Sequence, residues 1–307
     1  MLHDAPGVDD YAAFLPEDRR THLLRPTSQR WLWRGHRVHL LRAARPDAAV
    51  RVLLIHGAGG HGEALWPVAA QLADLDVDIT AVDLPLYGRT TTPHRSTVRY
   101  RDWIDLLVDL VAAEDDGRPV LLLGGSIGGL LAVEVAARSG RVAGVAATCL
   151  LDPTDRAARA HMTRFGRLAL LAMPVVRLIR GPLARLPVRI SWTAPLARMG
   201  RDPRLGALCA RDRRGGGGTV PLGFLTSFLT HPHDAARRVP IPVTLVHPER
   251  DAWTPTRLST RTLATLPGPT RHVTLRECGH YPLEEPGLTD LRDAVGDMIE
   301  AIASQQS

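Results

Sequence analysis

The most constraining stretch of this chain is Gly124-Gly125-Ser126-Ile127-Gly128, which follows an apolar run of β type and opens a run of helical type. Glycines two residues before and two after a serine let a strand and a helix meet at a sharp turn without Cβ clashes. Such a turn is strained and lifts the serine hydroxyl clear of the sheet. It also leaves the Ile127 N–H at a helix N-terminus, where it can face a developing negative charge. The stretch therefore demands a strand–turn–helix unit and offers a nucleophile at its corner.

The rest of the chain supplies the sheet that such a unit needs. Around an Arg34-Gly35 turn, Trp31 to Leu40 reads as a β-hairpin. Apolar strand runs then alternate with helical patterns: strand 50–55, helix 63–75, strand 78–82, helix 101–114, strand 119–123, helix 127–138 and strand 142–150. After a break the alternation returns with strand 242–246, helix 256–266, strand 272–275 and helix 288–303. Nearly continuous apolar strands separated by helices predict a mostly parallel sheet covered on both faces. Residues 1–28 read as an irregular lead-in. Residues 151–239 are Arg-rich, broken by prolines and without a clear strand, which marks a helical insertion. The expected organisation is a core of 1–150 and 240–307 with 151–239 inserted.

Charge and cysteine content narrow the class. Of the 307 residues 45% are hydrophobic and 23% charged, enough to bury a substantial core. All 38 basic residues are arginine and the formal net charge is +6, yet the arginines stand among 32 acids with no basic stripe or nucleic-acid motif, so no nucleic-acid partner is expected. No apolar run approaches the 18 residues of a membrane span. Acids near the N-terminus and three cysteines without paired spacing point to a reduced, cytoplasmic setting without disulfide or zinc.

A serine hydroxyl needs a positioned base, and the base an orienting acid. Asp251, beyond one late strand, and His280, between the last strand and the last helix, stand in the order Ser, Asp, His that this turn uses. Asp152 is the competing acid, with Glu249 behind it. Upstream, His56-Gly57-Ala58-Gly59-Gly60-His61-Gly62 also follows a strand. Taken alone, Gly57, Gly59 and Gly62 with Asp83 fit a dinucleotide fingerprint, so an NAD(P)-dependent oxidoreductase is the competing reading; the acid lies farther on than that motif expects. In a hydrolase the loop instead supplies the Ala58 N–H as a second oxyanion donor, and His56 is a buttress beneath it.

Together with Asp83-Leu84-Pro85-Leu86-Tyr87-Gly88-Arg89 and Cys278-Gly279-His280, these motifs resemble the α/β-hydrolase superfamily, in particular its lipase, esterase and monoacylglycerol-lipase-like members. The resemblance implies an α/β-hydrolase fold with a mostly parallel eight-stranded sheet, and a cap formed by 151–239. It implies a serine esterase with the triad Ser126, His280 and Asp251, an oxyanion hole of Ala58 and Ile127, and a small-molecule, lipid-like ester as substrate. No cofactor and no metal is required. Acyl transfer, thioester, amide or C–C hydrolysis, or a non-catalytic ligand-binding member, are the alternatives. Within 165–190, leucines and valines interleave with arginines; the favoured reading packs the apolar side over the site, the other turns it toward lipid aggregates. Gly215 to Gly218 reads as a flexible joint.

Overall fold

The computed structural model describes residues 5–305. Ten strands occur among them in chain order: β1 (Thr27–Trp33), β2 (His36–Ala43), β3 (Val50–Ile55), β4 (Val77–Val82), β5 (Val120–Gly124), β6 (Val142–Ala147), β7 (Pro187–Arg189), β8 (Thr219–Pro221), β9 (Val243–Pro248) and β10 (Thr270–Leu275). Eight of them form one sheet in the order β1-β2-β4-β3-β5-β6-β9-β10. β2 runs antiparallel to both of its neighbours and the remaining pairs are parallel. The hairpin is thus an antiparallel edge on the parallel sheet that the apolar runs predict.

Side chains alternate across that sheet, and both faces of its central strands are buried, while the edge strands β1 and β10 are largely exposed. Val52 and Leu54 of β3, with Leu121 and Leu123 of β5, join a core with Trp66, Leu291 and Val295. Leu53, Ile55 and Leu122 face the opposite core, with Trp103, Leu107 and Leu131. The helices over these faces, Gly62–Ala69, Tyr100–Ala113, Ile127–Ser139, Thr256–Leu263 and Gly287–Ser304, fall where the sequence places them, although the first ends early in a 3-10 turn over Ala70–Leu72. The lead-in contains two short helices, Val8–Ala12 and Glu17–Thr21. No helix among the described residues is long and apolar enough to cross a membrane.

The segment 151–239 leaves the sheet after β6 and returns at β9. It is mostly short helices, but it also holds the two-stranded ribbon β7–β8, which the sequence reading missed. Strands of three residues carrying Pro187 and Pro221 are too short to show a period of two. The four glycines are not a loose joint. A Cβ on Gly215 would stand 2.5 Å from the Gly59 carbonyl oxygen, and one on Gly216 would stand 2.4 Å from Leu196. The run is a close-packed turn laid on the loop after β3.

Asp83, just past β4, holds that same region together. Its buried carboxylate accepts the N–H of Gly62 at 2.6 Å and of Arg89 at 2.7 Å, and His39 Nδ1 lies 2.8 Å away. Burial pushes its pKa up, but the hydrogen bond and charge of His39, aided by His61 and the Arg89 N–H, outweigh burial and lower it from 3.8 to about 2. Because the folded value is depressed, this stabilisation is present above pH 3.8 and is lost as pH falls toward 2. A shift of this size corresponds to about 2 kcal/mol. Asp83→Asn should therefore lower the melting temperature at neutral pH and flatten the loss of stability between these two pH values, as read by thermal unfolding.

Candidate active site

Ser126 sits at the corner between β5 and the helix beginning at Ile127, with φ 53° and ψ −126°. A positive φ at a non-glycine residue costs energy and persists only where neighbours impose it. Here the impositions are visible. A Cβ on Gly124 would lie 2.3 Å from the Gly128 carbonyl oxygen, and one on Gly128 would lie 2.4 Å from that of Ile55. Only glycines let strand, turn and helix approach this closely. The Ser126 N–H donates to Thr148 Oγ1 at 3.0 Å, and the side chain itself stays partly exposed.

His280, in the loop after β10, places Nδ1 2.8 Å from Asp251 Oδ2. Its other nitrogen, Nε2, is buried without a hydrogen-bond partner, and the Trp253 ring packs on the imidazole with centroids 4.7 Å apart. Asp251 is held in turn: its Oδ1 accepts the N–H groups of Trp253 (2.7 Å) and Thr254 (2.8 Å), and its Oδ2 accepts Thr254 Oγ1 at 2.5 Å. Burial raises the Asp251 pKa, but the charge and hydrogen bond of His280 and those from Thr254 prevail and hold it well below the usual carboxylate range. An ionised Asp251 fixes the proton of His280 on Nδ1, which leaves Nε2 as a lone-pair acceptor.

The competing acids are engaged elsewhere. Asp152 accepts from the backbone and hydroxyl of Thr154 and pairs with Arg237 at 3.2 Å. Glu249 accepts the Glu277 N–H. Nor does the dinucleotide reading survive: Asp83, which would have to meet a ribose, is fully enclosed by Gly62, Arg89 and His39.

The loop over Gly57–Gly60 lies against this strand–turn–helix elbow at Ser126, since a Cβ on Gly57 would stand 2.8 Å from that of Ser126. His56 is the expected buttress. Its Nε2 accepts the Leu84 N–H at 3.0 Å, so Nδ1 carries the proton and donates to the Gly57 carbonyl at 2.7 Å. Complete burial pushes its pKa down to about 4, so it stays neutral at physiological pH. The Gly57 carbonyl and the Ala58 N–H belong to one peptide plane. Among the described residues, neither the Ala58 N–H nor the Ile127 N–H has an acceptor in the protein.

Two apolar clefts meet at Ser126, and Ala58 and Trp253 line both. One runs inward past Leu65, Val68, Tyr11 and Tyr281. The other runs under the inserted segment, past Met162, Ile190, Phe224 and Phe228. Tyr11 was invisible as a site residue because it lies in a five-residue helix with no periodicity to read. Its hydroxyl donates to Asp212 Oδ2 at 2.8 Å, and His61 Nε2 meets the same oxygen at 2.7 Å. His61 also caps the helix Gly62–Ala69 by accepting the Ala64 N–H. A wholly buried Tyr11–Asp212–His61 cluster thus ties the N-terminal segment and residues 151–239 to the loop behind Ser126.

Solved structures share this architecture. A soluble variant of monoglyceride lipase from Saccharomyces cerevisiae, bound to a substrate analogue, superposes with a TM-score of 0.73 at 13% identity, covering 92% of this chain and 97% of that one. A carboxyl esterase from Bacillus coagulans gives 0.68 at 16% identity, covering 91% and 99%. The monoacylglycerol lipase of Paleococcus ferrophilus gives 0.66 at 17%, covering 87% and 98%. These identities speak for the fold alone. No curated protein matches in sequence. The sequence profile of the Alpha/beta hydrolase family matches residues 52–289, most of the chain including both the elbow and the His280 loop, and on that match the protein belongs to this family.

Proposed function

We propose that the protein is a serine hydrolase of carboxylic esters whose acyl or alcohol part is apolar, with residues 151–239 acting as a cap over a core of 1–150 and 240–307. The observation that carries this reading is His280: Nδ1 is locked to Asp251 while Nε2 is buried with no partner, beside a strained, partly exposed Ser126. In the proposed cycle, Ser126 Oγ adds to the ester carbonyl as its proton passes to His280 Nε2. The N–H groups of Ala58 and Ile127 then hold the tetrahedral oxyanion. Collapse breaks the bond to the alkoxy oxygen, which leaves as the alcohol with the His280 proton, and water repeats the sequence on the acyl-enzyme. The two clefts give an apolar lining to each side of the scissile bond.

A fluorophosphonate probe tests the activated serine directly. Stoichiometric labelling of wild type and none of Ser126→Ala is expected, together with p-nitrophenyl ester turnover that rises from acetate to medium-chain acyl groups. Folded wild-type protein that neither labels nor hydrolyses any of these esters would overturn the reading.

A further inference from the structure

The net positive charge of this protein is concentrated in one segment. Residues 156–201 contain 10 arginines and no aspartate or glutamate, while the rest of the chain carries 28 arginines against 32 acids. The positive charge that looked scattered along the sequence is therefore local. Of the ten large apolar side chains that stand exposed among the described residues, eight lie in the same segment: Phe165, Leu168, Leu171, Val175, Leu178, Leu183, Leu186 and Trp192. Leu171 and Leu178 are each 77% exposed.

Their arrangement makes a face. The helices Leu168–Leu171 and Met173–Leu178 are joined by Ala172, whose backbone stays in the right-handed helical region, and Pro174 falls in the first turn of the second helix, where a proline is accommodated. Leu168, Leu171, Val175 and Leu178 then fall within an arc of about 80° at 100° per residue. The sequence reading favoured this stripe as the underside of a cap. Instead it points to solvent, and Met173 on the other side is the buried residue. The exposed Arg164, Arg167, Arg180, Arg185 and Arg189 border it, and none forms an ion pair among the described residues. An apolar face rimmed by unpaired arginines, with no acid in 46 residues, complements a surface that is greasy within and negative at its rim.

We infer that residues 164–192 form a docking surface for anionic phospholipid bilayers. The outward leucines and Phe165 enter the interfacial region while the arginines meet lipid phosphates. Met162, just before this stretch, and Ile190, buried within it, line the cleft at Ser126, so the docking surface and that cleft are built from one segment. The inference stands on exposure and charge and does not need the proposed esterase activity.

Vesicle flotation with the full chain tests it, using phosphatidylcholine vesicles with and without about one-third phosphatidylglycerol. Each arginine near such a surface strengthens binding about fivefold, so binding at least about tenfold tighter to the anionic vesicles and weakened by salt is expected. Leu171→Glu combined with Leu178→Glu should reduce it by about 100-fold, two leucine side chains being withheld from the bilayer, with an unchanged circular dichroism spectrum and melting temperature. No flotation of wild type, or flotation undiminished in the double variant, would overturn the inference. So would a dimer in light scattering that the double variant dissociates while vesicles bind neither form, since a second copy would then be the occupant of this face.

Discussion

Ser126→Ala is expected to lower kcat for p-nitrophenyl butyrate by about four to six orders of magnitude, leaving only the contribution of binding and of the oxyanion donors. The melting temperature should stay within about 2 °C of wild type, since a partly exposed oxygen that faces the clefts contributes little to stability. The backbone strain remains, because alanine at φ 53° bears the same Cβ as serine. Hydrolysis within about tenfold of wild type would remove Ser126 from the mechanism, whatever the fold.

Asp251→Asn should cost about 10³- to 10⁴-fold in kcat, and the hydrogen bonds show why. The Trp253 and Thr254 N–H groups both point at Oδ1, so they select the asparagine carbonyl oxygen for that position. The amide nitrogen then faces His280 Nδ1 and donates to it, which forces the imidazole proton onto Nε2. A protonated Nε2 cannot accept from Ser126. Asp152→Asn, which keeps an amide oxygen to accept from Thr154 and loses the ion pair with Arg237, should leave kcat within about threefold. Steady-state kinetics on the pair distinguishes the two acids; the reverse ranking would move the triad acid to Asp152.

What could be read in the sequence was what depends on neighbours along the chain. The elbow at Gly124–Gly128 works through clashes between residues a few positions apart, so its glycines carry the instruction on their face. The strands β3, β5 and β9 are buried on both sides and therefore mostly apolar, with Arg51, Thr244 and His247 the exceptions. Asp251 and His280 lie just past strand ends, where a parallel sheet presents its chemistry. The segment 151–239 was legible only as helical and arginine-rich. An amphipathic period identifies two faces without saying which is inside, and Leu168, Leu171, Val175 and Leu178 show the apolar one outside. Gly215–Gly218 has the composition of a hinge, yet its lack of side chains is what lets it press on Gly59. Tyr11, Asp212 and His61 have no local signature, because their cluster is defined by long-range topology.

That cluster also sets an order of events during synthesis. Tyr11 and Asp212 are separated by 201 positions, and a ribosome adding about 5–20 residues per second takes about 10–40 s to cover the interval. Strands β1 to β6 have all been made by then, while the first helix has no carboxylate to receive its hydroxyl and His61 has none to face. The N-terminal segment can lie against the helix Gly62–Ala69 before then, but its buried tyrosine hydroxyl is satisfied only once residues 151–239 emerge, so the first part of the chain to be made is locked in place late.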